Sequence, residues 1–283
     1  MKKIIVPIDF SENSEKALLA AKTIASSYQA EIIIIHAFQP VIQDFGIVEG
    51  GIIPTIPSYA SPNVNLNLEN EYLGQLSKWK DTIVSEGFSC SFKLYHTTVK
   101  YAVEESIEEF DADLVIIGRT GQGGFFDKLI GSSATSIAIH SKCPVMVVPP
   151  QSNLTAINHI VYATQLEYEE IQNLVELLEF KKSVGSKIEF LKISSDQQPD
   201  IQPDNQYIAD MKEKLDMTDT RFTIKEYDDV LEGIESFADE VSADLIAVSS
   251  RERSFLEEFI INPSLTKKLI LDTHIPVLIF HLK

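Results

Sequence analysis

Ala112-Asp-Leu-Val-Ile-Ile-Gly118-Arg-Thr-Gly121, followed after nine residues by Gly131-Ser132-Ser133, is the stretch whose reading decides the fold. The unbroken apolar run from Asp113 to Ile117 reads as a strand buried on both faces of a parallel sheet. Ser132 to Ser141 carries Ala134, Ile137 and Ala138 at helical spacing. Strand, glycine loop and helix in that order form a phosphate cradle. Gly118 and Gly121 let backbone N–H groups approach a polyanion, and Gly131-Ser132-Ser133 offers free amides and hydroxyls at the positive end of a helix. The expected ligand is a nucleotide, and the bland alternative is a turn that binds nothing.

Other glycine motifs fit worse. A Walker loop needs Lys-Ser or Lys-Thr after its last glycine, whereas Gly123 is followed by Gly124-Phe125. A dinucleotide fingerprint belongs after the first strand of a unit, and this motif lies deep within one.

The chain repeats itself once. Ala112-Asp-Leu-Val-Ile-Ile-Gly118 recurs as Ala243-Asp-Leu-Ile-Ala-Val-Ser249, and Cys143-Pro-Val-Met-Val-Val148 as Ile275-Pro-Val-Leu-Ile-Phe280. The openings Lys3-Ile-Ile-Val-Pro-Ile-Asp9 and Asn158-His-Ile-Val-Tyr-Ala-Thr164 also correspond, which sets Thr164 against Asp9. Two α/β domains, 1–150 and 151–283, are therefore expected to join near Pro149-Pro150.

In the first half, strands are predicted at Lys3–Ile8, Glu31–Ala37, Ser89–Tyr95, Leu114–Ile117 and Val145–Val148, alternating with helices in a doubly wound parallel sheet. Ser11 is a helix cap. Ala17, Leu18, Ala21, Ile24 and Ala25 form the apolar stripe of its helix, with Leu73, Leu76 and Ile83, then Val103 and Ile107, on later ones.

Val6-Pro-Ile-Asp9-Phe-Ser11, His36-Ala37 at the end of the second strand, the glycine motif and the closing Cys-Pro-Val-Met-Val-Val together resemble the universal stress protein family in its tandem form. The spacing of Gly118, Gly121, Gly131 and Ser132 is similar to the ATP-binding signature of one branch. The resemblance implies an adenine-nucleotide α-hydrolase-like sandwich. It implies that Asp9 meets adenine or ribose and that Ala37 gives backbone contacts to the base. Gly118 and Gly121 would line the ribose and phosphates, while Gly131, Ser132 and Ser133 hold the outer phosphates. The ligand implied is ATP, with AMP or ADP and a Mg²⁺ ion as variants. Val99-Lys100-Tyr101 departs from the glycine that many relatives carry before the third helix.

Asp9 has a second reading as a helix cap, and Arg119 is read either as a charge-assisted phosphate donor or as an idle loop residue. In the second half Ser249 replaces Gly118 and Glu252 replaces Gly121, and the nearby carboxylates Glu257 and Glu258 repel phosphate, so one nucleotide per chain is expected. The repeated Pro-Val strands are edges that can pair about a pseudo-twofold axis, making the chain an internal dimer; pairing of whole chains is left open.

No catalytic residues are assigned. The six histidines lack metal-ligand spacing, His36 and His96 are read as core or pocket-wall residues in strands, and Glu104-Glu105 and Glu108-Glu109 read as a solvated helix face. The net charge of −18, from 42 acidic and 24 basic residues, argues against nucleic acid or an anionic membrane as partner. The first 150 residues carry 11 basic and 17 acidic residues, leaving 13 and 25 for the rest, so the degenerate half is the more acidic. Cys90 and Cys143 are expected as buried free thiols. Two cysteines and no targeting or membrane segment lead to the expectation of a cytoplasmic protein.

The stretch 39–68 is read as an irregular lid or contact segment. The favoured function is a nucleotide-binding stress regulator. The alternatives are a slow ATP hydrolase or phosphotransferring enzyme, and an interaction protein with an empty cradle.

Overall fold

The computed structural model describes residues 1–39, 42–43, 58–59, 62–119, 127–194, 204–217, 220–250 and 265–281. The first lobe comprises β1 (Lys3–Pro7), α1 (Glu12–Tyr28), β2 (Glu31–Ala37), β3 (Ile42–Gln43), β4 (Ser58–Tyr59), α2 (Pro62–Ser85), β5 (Cys90–Tyr95), α3 (Val99–Phe110), β6 (Leu114–Gly118), α4 (Asp127–His140) and β7 (Val145–Val148). The second comprises β8 (His159–Ala163), a 3₁₀ turn at Tyr168–Glu170, α5 (Ile171–Val184), β9 (Lys187–Ser194), α6 (Asp204–Lys214), β10 (Arg221–Glu226), α7 (Val230–Glu240), β11 (Leu245–Ser250), α8 (Leu265–Asp272) and β12 (Val277–His281).

Ten strands form one sheet in the order β10-β9-β8-β11-β12-β7-β6-β1-β2-β5. Every pairing is parallel except β12 with β7, which runs antiparallel with Val277 opposite Val147 and Ile279 opposite Val145. That one reversal relates the lobes by a pseudo-twofold axis and hides the edge each sheet would otherwise expose. The strands are buried on both faces, so their residues alternate between two cores. Ile4, Val6, Ile32 and Ile34 face α1 and α2, while Ile5, Ile33 and Ile35 face α3 and α4. Both cores continue through the β7–β12 seam into the second lobe.

The acid of each Ala-Asp-Leu repeat is an anchor for the opening strand. Asp113 Oδ2 accepts from the amides of Lys2 and Lys3 at 2.6 and 3.0 Å, and Asp244 Oδ2 accepts from those of Asn158 and His159 at 2.7 and 3.0 Å. These bonds also correct a register. They set His159 against Lys3, and the Ile8 and Thr164 amides donate to the matching carbonyls of Ile35 and Leu191. The counterpart of Asp9 is therefore Gln165, one residue beyond the Thr164 expected from the apolar pattern. Residue type alone does not fix a strand's register; the hydrogen-bond ladder does.

Three further expectations are corrected. Residues 62–68 belong to α2, so the irregular stretch after β2 is shorter than expected, and most of it lies outside the described residues. Leu73 is exposed, whereas Leu76 and Ile83 are buried as the stripe required. Val99-Lys100-Tyr101 is the first turn of α3, with Thr98 as its cap, rather than a loop.

Candidate functional site

In a doubly wound sheet, ligands enter at the carboxyl ends of the strands where the chain order reverses, because the loops there diverge and leave a crevice. In the first lobe that point lies between β1 and β6, since β2 and β5 extend one way from β1 and β7 the other. Asp9 follows β1 and Gly118 ends β6, so two of the expected site residues flank the switch point.

Asp9 is held by the helix that follows it. Its Oδ1 accepts from the Ser11 amide at 3.1 Å, from the Ser11 hydroxyl, and from the Ser14 hydroxyl at 2.6 Å, while Ser14 Oγ accepts from the Asp9 amide at 2.9 Å. Partial burial of the carboxyl raises its pKa, but the Ser11 and Ser14 donors outweigh this and hold it below the ordinary value of 3.8. All three donors meet Oδ1, and a carboxylate has a second oxygen of equal accepting power. Ser11, not Asp9, is the cap of α1, accepting from the Ser14 amide.

Gly118 has a structural reason of its own. A Cβ there would stand 2.3 Å from the Asn13 carbonyl oxygen and 2.8 Å from its carbon, so the glycine admits the first turn of α1 against the end of β6. Arg119 does not turn into the crevice. Its amide donates to Val148 O at 2.7 Å, and its Nη1 donates to Ile270 O of α8, in the other lobe, at 2.8 Å. The idle-loop reading of Arg119 is thereby overturned, and the phosphate-donor reading requires this side chain to move.

The helix expected to open at Ser132 begins at Asp127. Gly131, Ser132 and Ser133 lie in its second turn, where amides bond back along the helix, and the free amides belong to the turn before them. Gly121 lies outside the described residues. Ala37 ends β2, half-buried, beside β5.

Sequence reasoning missed the aromatic wall beside Asp9 and Ala37. The Phe10 ring lies 4.9 Å from His36 and 5.7 Å from Trp79, edge on, while Tyr72 lies 4.6 Å from His36 and 5.4 Å from Phe38. His36 Nδ1 faces the Ile8 carbonyl at 2.7 Å. Burial lowers its pKa below 6.5 against the opposing pull of that carbonyl and Asp9, which favours a neutral ring. His96 lies one residue beyond β5, exposed, and pairs with Glu69 at 3.4 Å. Phe10 itself sits at φ 63, and Leu166, its counterpart, sits at φ 59. Because both lobes share this turn, it is a feature of the fold and carries no information about a ligand.

The second lobe fills the corresponding crevice with its own side chains. Ser249, in place of Gly118, meets Tyr162 Oη at 2.7 Å and accepts from Asn173 Nδ2 at 2.9 Å. Lys192, in the position of His36, is buried and paired with Asp204 at 2.5 Å. Thr164 donates to the buried carboxylate of Glu170, which stands where Ser14 stands in the first lobe. Burial, only partly offset by Thr164, pushes the Glu170 pKa up to about 7.

Among the described residues no group of three His, Cys, Asp or Glu side chains could hold a metal ion, and no helix is long and apolar enough to cross a membrane. Cys143 is buried, as expected, while Cys90 is half-buried; burial raises the thiol pKa values to about 11 and about 12.

Two doubly wound lobes in tandem, joined through β7 and β12 into one sheet, define the class of this protein. The model of the Universal stress protein family matches residues 1–149 and 166–281, and the chain belongs to that family. The universal stress protein YxiE of Bacillus subtilis is 25% identical over 146 residues, which are 52% of this chain and 97% of that protein. The universal stress protein A homolog 1 of Coxiella burnetii is 29% identical over 160 residues, covering 52% of this chain and 95% of its own. A universal stress protein from Archaeoglobus fulgidus superposes with a TM-score of 0.73 at 16% identity, covering 99% of this chain and 98% of that one. The single-lobe relatives thus match half of a chain whose whole length has the fold of the archaeal structure.

Proposed function

We propose that this protein binds one adenine nucleotide, ATP or its di- or monophosphate, in the first lobe, and acts as a nucleotide-dependent regulator. The observation that carries the reading is the contrast between the two switch points. In the first, Asp9 presents a carboxylate whose donors all meet one oxygen, leaving the other to accept a ribose hydroxyl or an adenine amine. In the second, Gln165 stands in place of Asp9, and Ser249, in place of Gly118, is bonded to both Tyr162 and Asn173.

The chemistry of the first-lobe residues fits such a ligand. The rings of Phe10, His36 and Tyr72 supply stacking surface beside Asp9, and a neutral His36 leaves the carboxylate without a fixed cationic partner. Gly118 and the opening turn of α4 would supply amides for the phosphates. A bound Mg²⁺ would neutralise phosphate charge, and Asp9 and Asp127 are the acids the sequence offers for it.

Isothermal titration calorimetry with ATP, ADP and AMP tests the reading. One site per chain is expected, and Gly121→Glu, which copies Glu252 of the second half, should abolish it while leaving the circular dichroism unchanged. Two equivalent sites, or unaltered affinity in the variant, would overturn the assignment. Single-turnover ADP release separates a binding module from a slow hydrolase.

A further inference from the structure

Among the hydrogen bonds that the described residues make between the lobes beyond the β7–β12 ladder, two are reciprocal. Arg119 Nη1 of the first lobe donates to Ile270 O of α8 at 2.8 Å, and His281 Nε2 of the second meets Ala138 O of α4 at 2.9 Å. A carbonyl can only accept, so Nε2 carries the proton. The two carbonyls are equivalent under the pseudo-twofold: Ala138 stands as far before Pro144 as Ile270 stands before Pro276, and both are buried in the same core. Each lies in the last turn of its helix, where carbonyls have no partner within the helix and cationic donors are favoured by the dipole. Asp272 and Glu235 add electrostatic attraction around the guanidinium.

These two bonds grip both walls of the first-lobe crevice. Arg119 immediately follows Gly118, and its amide is fixed to β7 through Val148 O. Helix α4 carries Gly131, Ser132 and Ser133 toward one end and the Ala138 carbonyl toward the other. A nucleotide that meets Gly118 or the start of α4 therefore acts on segments already tied to the second lobe.

We propose that Arg119 and His281 are positioning residues through which the second lobe holds the first-lobe nucleotide site in shape, and through which occupancy of that site is transmitted to α8. The inference rests on the nucleotide reading above and gives the lobe with the filled crevice a role in it: sites linked through such an element change each other's affinity by reciprocal factors.

The test combines calorimetry with ATP and hydrogen exchange read by mass spectrometry. ATP should slow exchange in 265–272 of the wild-type chain, and this protection should vanish in Arg119→Ala and partly return in Arg119→Lys. Because Arg119 borders the crevice, His281→Ala is the decisive variant: His281 meets α4 at its far end, yet ATP affinity should fall about fivefold or more, with recovery in His281→Gln, which keeps an N–H donor. Wild-type affinity in both alanine variants, or ATP binding with no change in 265–272, would overturn the inference.

If the wild-type chain binds no nucleotide, the functional reading fails and the ligand-free arm decides the caps alone. Arg119→Ala should then speed exchange in 265–272, and His281→Ala in 134–140. Unchanged exchange in both removes the cross-lobe coupling as well.

Discussion

At the end of its opening strand the first lobe keeps an acid, Asp9, served by the hydroxyls of Ser11 and Ser14 from the helix. The second lobe exchanges the parts: the hydroxyl, Thr164, is on the strand side and the acid, Glu170, is on the helix side. The backbone turn is the same in both, with Phe10 and Leu166 at nearly equal positive φ. The exchange changes where the charge lies. Asp9 is exposed at the switch point, whereas Glu170 is 5% exposed beneath it. One fold thus supports an outward carboxylate that can meet a ligand and an inward one that serves the protein's own donors.

The largest expected effect lies in the second lobe. Lys192 has 2% of its side chain exposed and is paired with Asp204, so Asp204→Ala leaves a buried cation without that partner. A loss of about 4 kcal/mol is expected in denaturant unfolding. A loss below about 1 kcal/mol would mean that water or another contact of Lys192 takes over the charge, and the comparison would break.

Next is Gly118→Ala. The added Cβ meets the Asn13 backbone, which cannot yield as a side-chain tip could, and about 3 kcal/mol is expected from overpacking. The reverse change, Ser249→Gly, should keep the fold and cost about 1 kcal/mol through the lost bonds to Tyr162 and Asn173. Equal costs would show that the two strand ends are not packed differently.

The lobes should also respond to pH in opposite directions. Glu170 holds its proton to about pH 7 in the fold, against an ordinary value of 4.5. Its stabilising contribution is complete below about 4.5 and is lost as pH rises through 7. Asp9 and His36 are both depressed, so their contributions are present at higher pH and are lost as pH falls. Glu170→Gln should therefore stabilise the chain by on the order of 2 kcal/mol at pH 8 and leave it nearly unchanged at pH 4. Thermal unfolding of both proteins across that range measures the difference, and parallel curves would remove Glu170 as its source.

The smallest effect concerns the end of the first helix. Gln29 holds the left-handed position at φ 53 after α1, where the second lobe has Gly185 at φ 73 after α5. Gln29→Gly should stabilise by about 0.5 kcal/mol, the relief of left-handed strain less the extra freedom of the unfolded chain.

Much of the fold was legible because its signals are local. The continuous apolar runs from Lys3, Glu31 and Val145 can only be strands buried on both faces, and their bounds lie within a residue of those observed. The seam between the lobes was legible too, since two repeated Pro-Val strands are edges that need covering. The site was legible in part. Asp9 and Gly118 do flank the switch point, but the start of α4 was read four or five residues late, because Gly131 and Ser132 look like a helix opening when only neighbours are considered. Phe10, Tyr72 and Trp79 escaped notice because their assembly joins α2 to the turn between β1 and α1, far apart in the chain.

The order of residues by itself determined the class of fold, the duplication and the loss of the glycine motif in the second half, since these depend on periodicity and on which positions can do without a side chain. Only the tertiary structure decided that Gln165 stands opposite Asp9, that Gly118 makes room for Asn13, and that Arg119 reaches the far lobe. Those facts depend on register and on contacts between distant segments, which arise from the packing of whole elements and leave no mark on neighbouring residues.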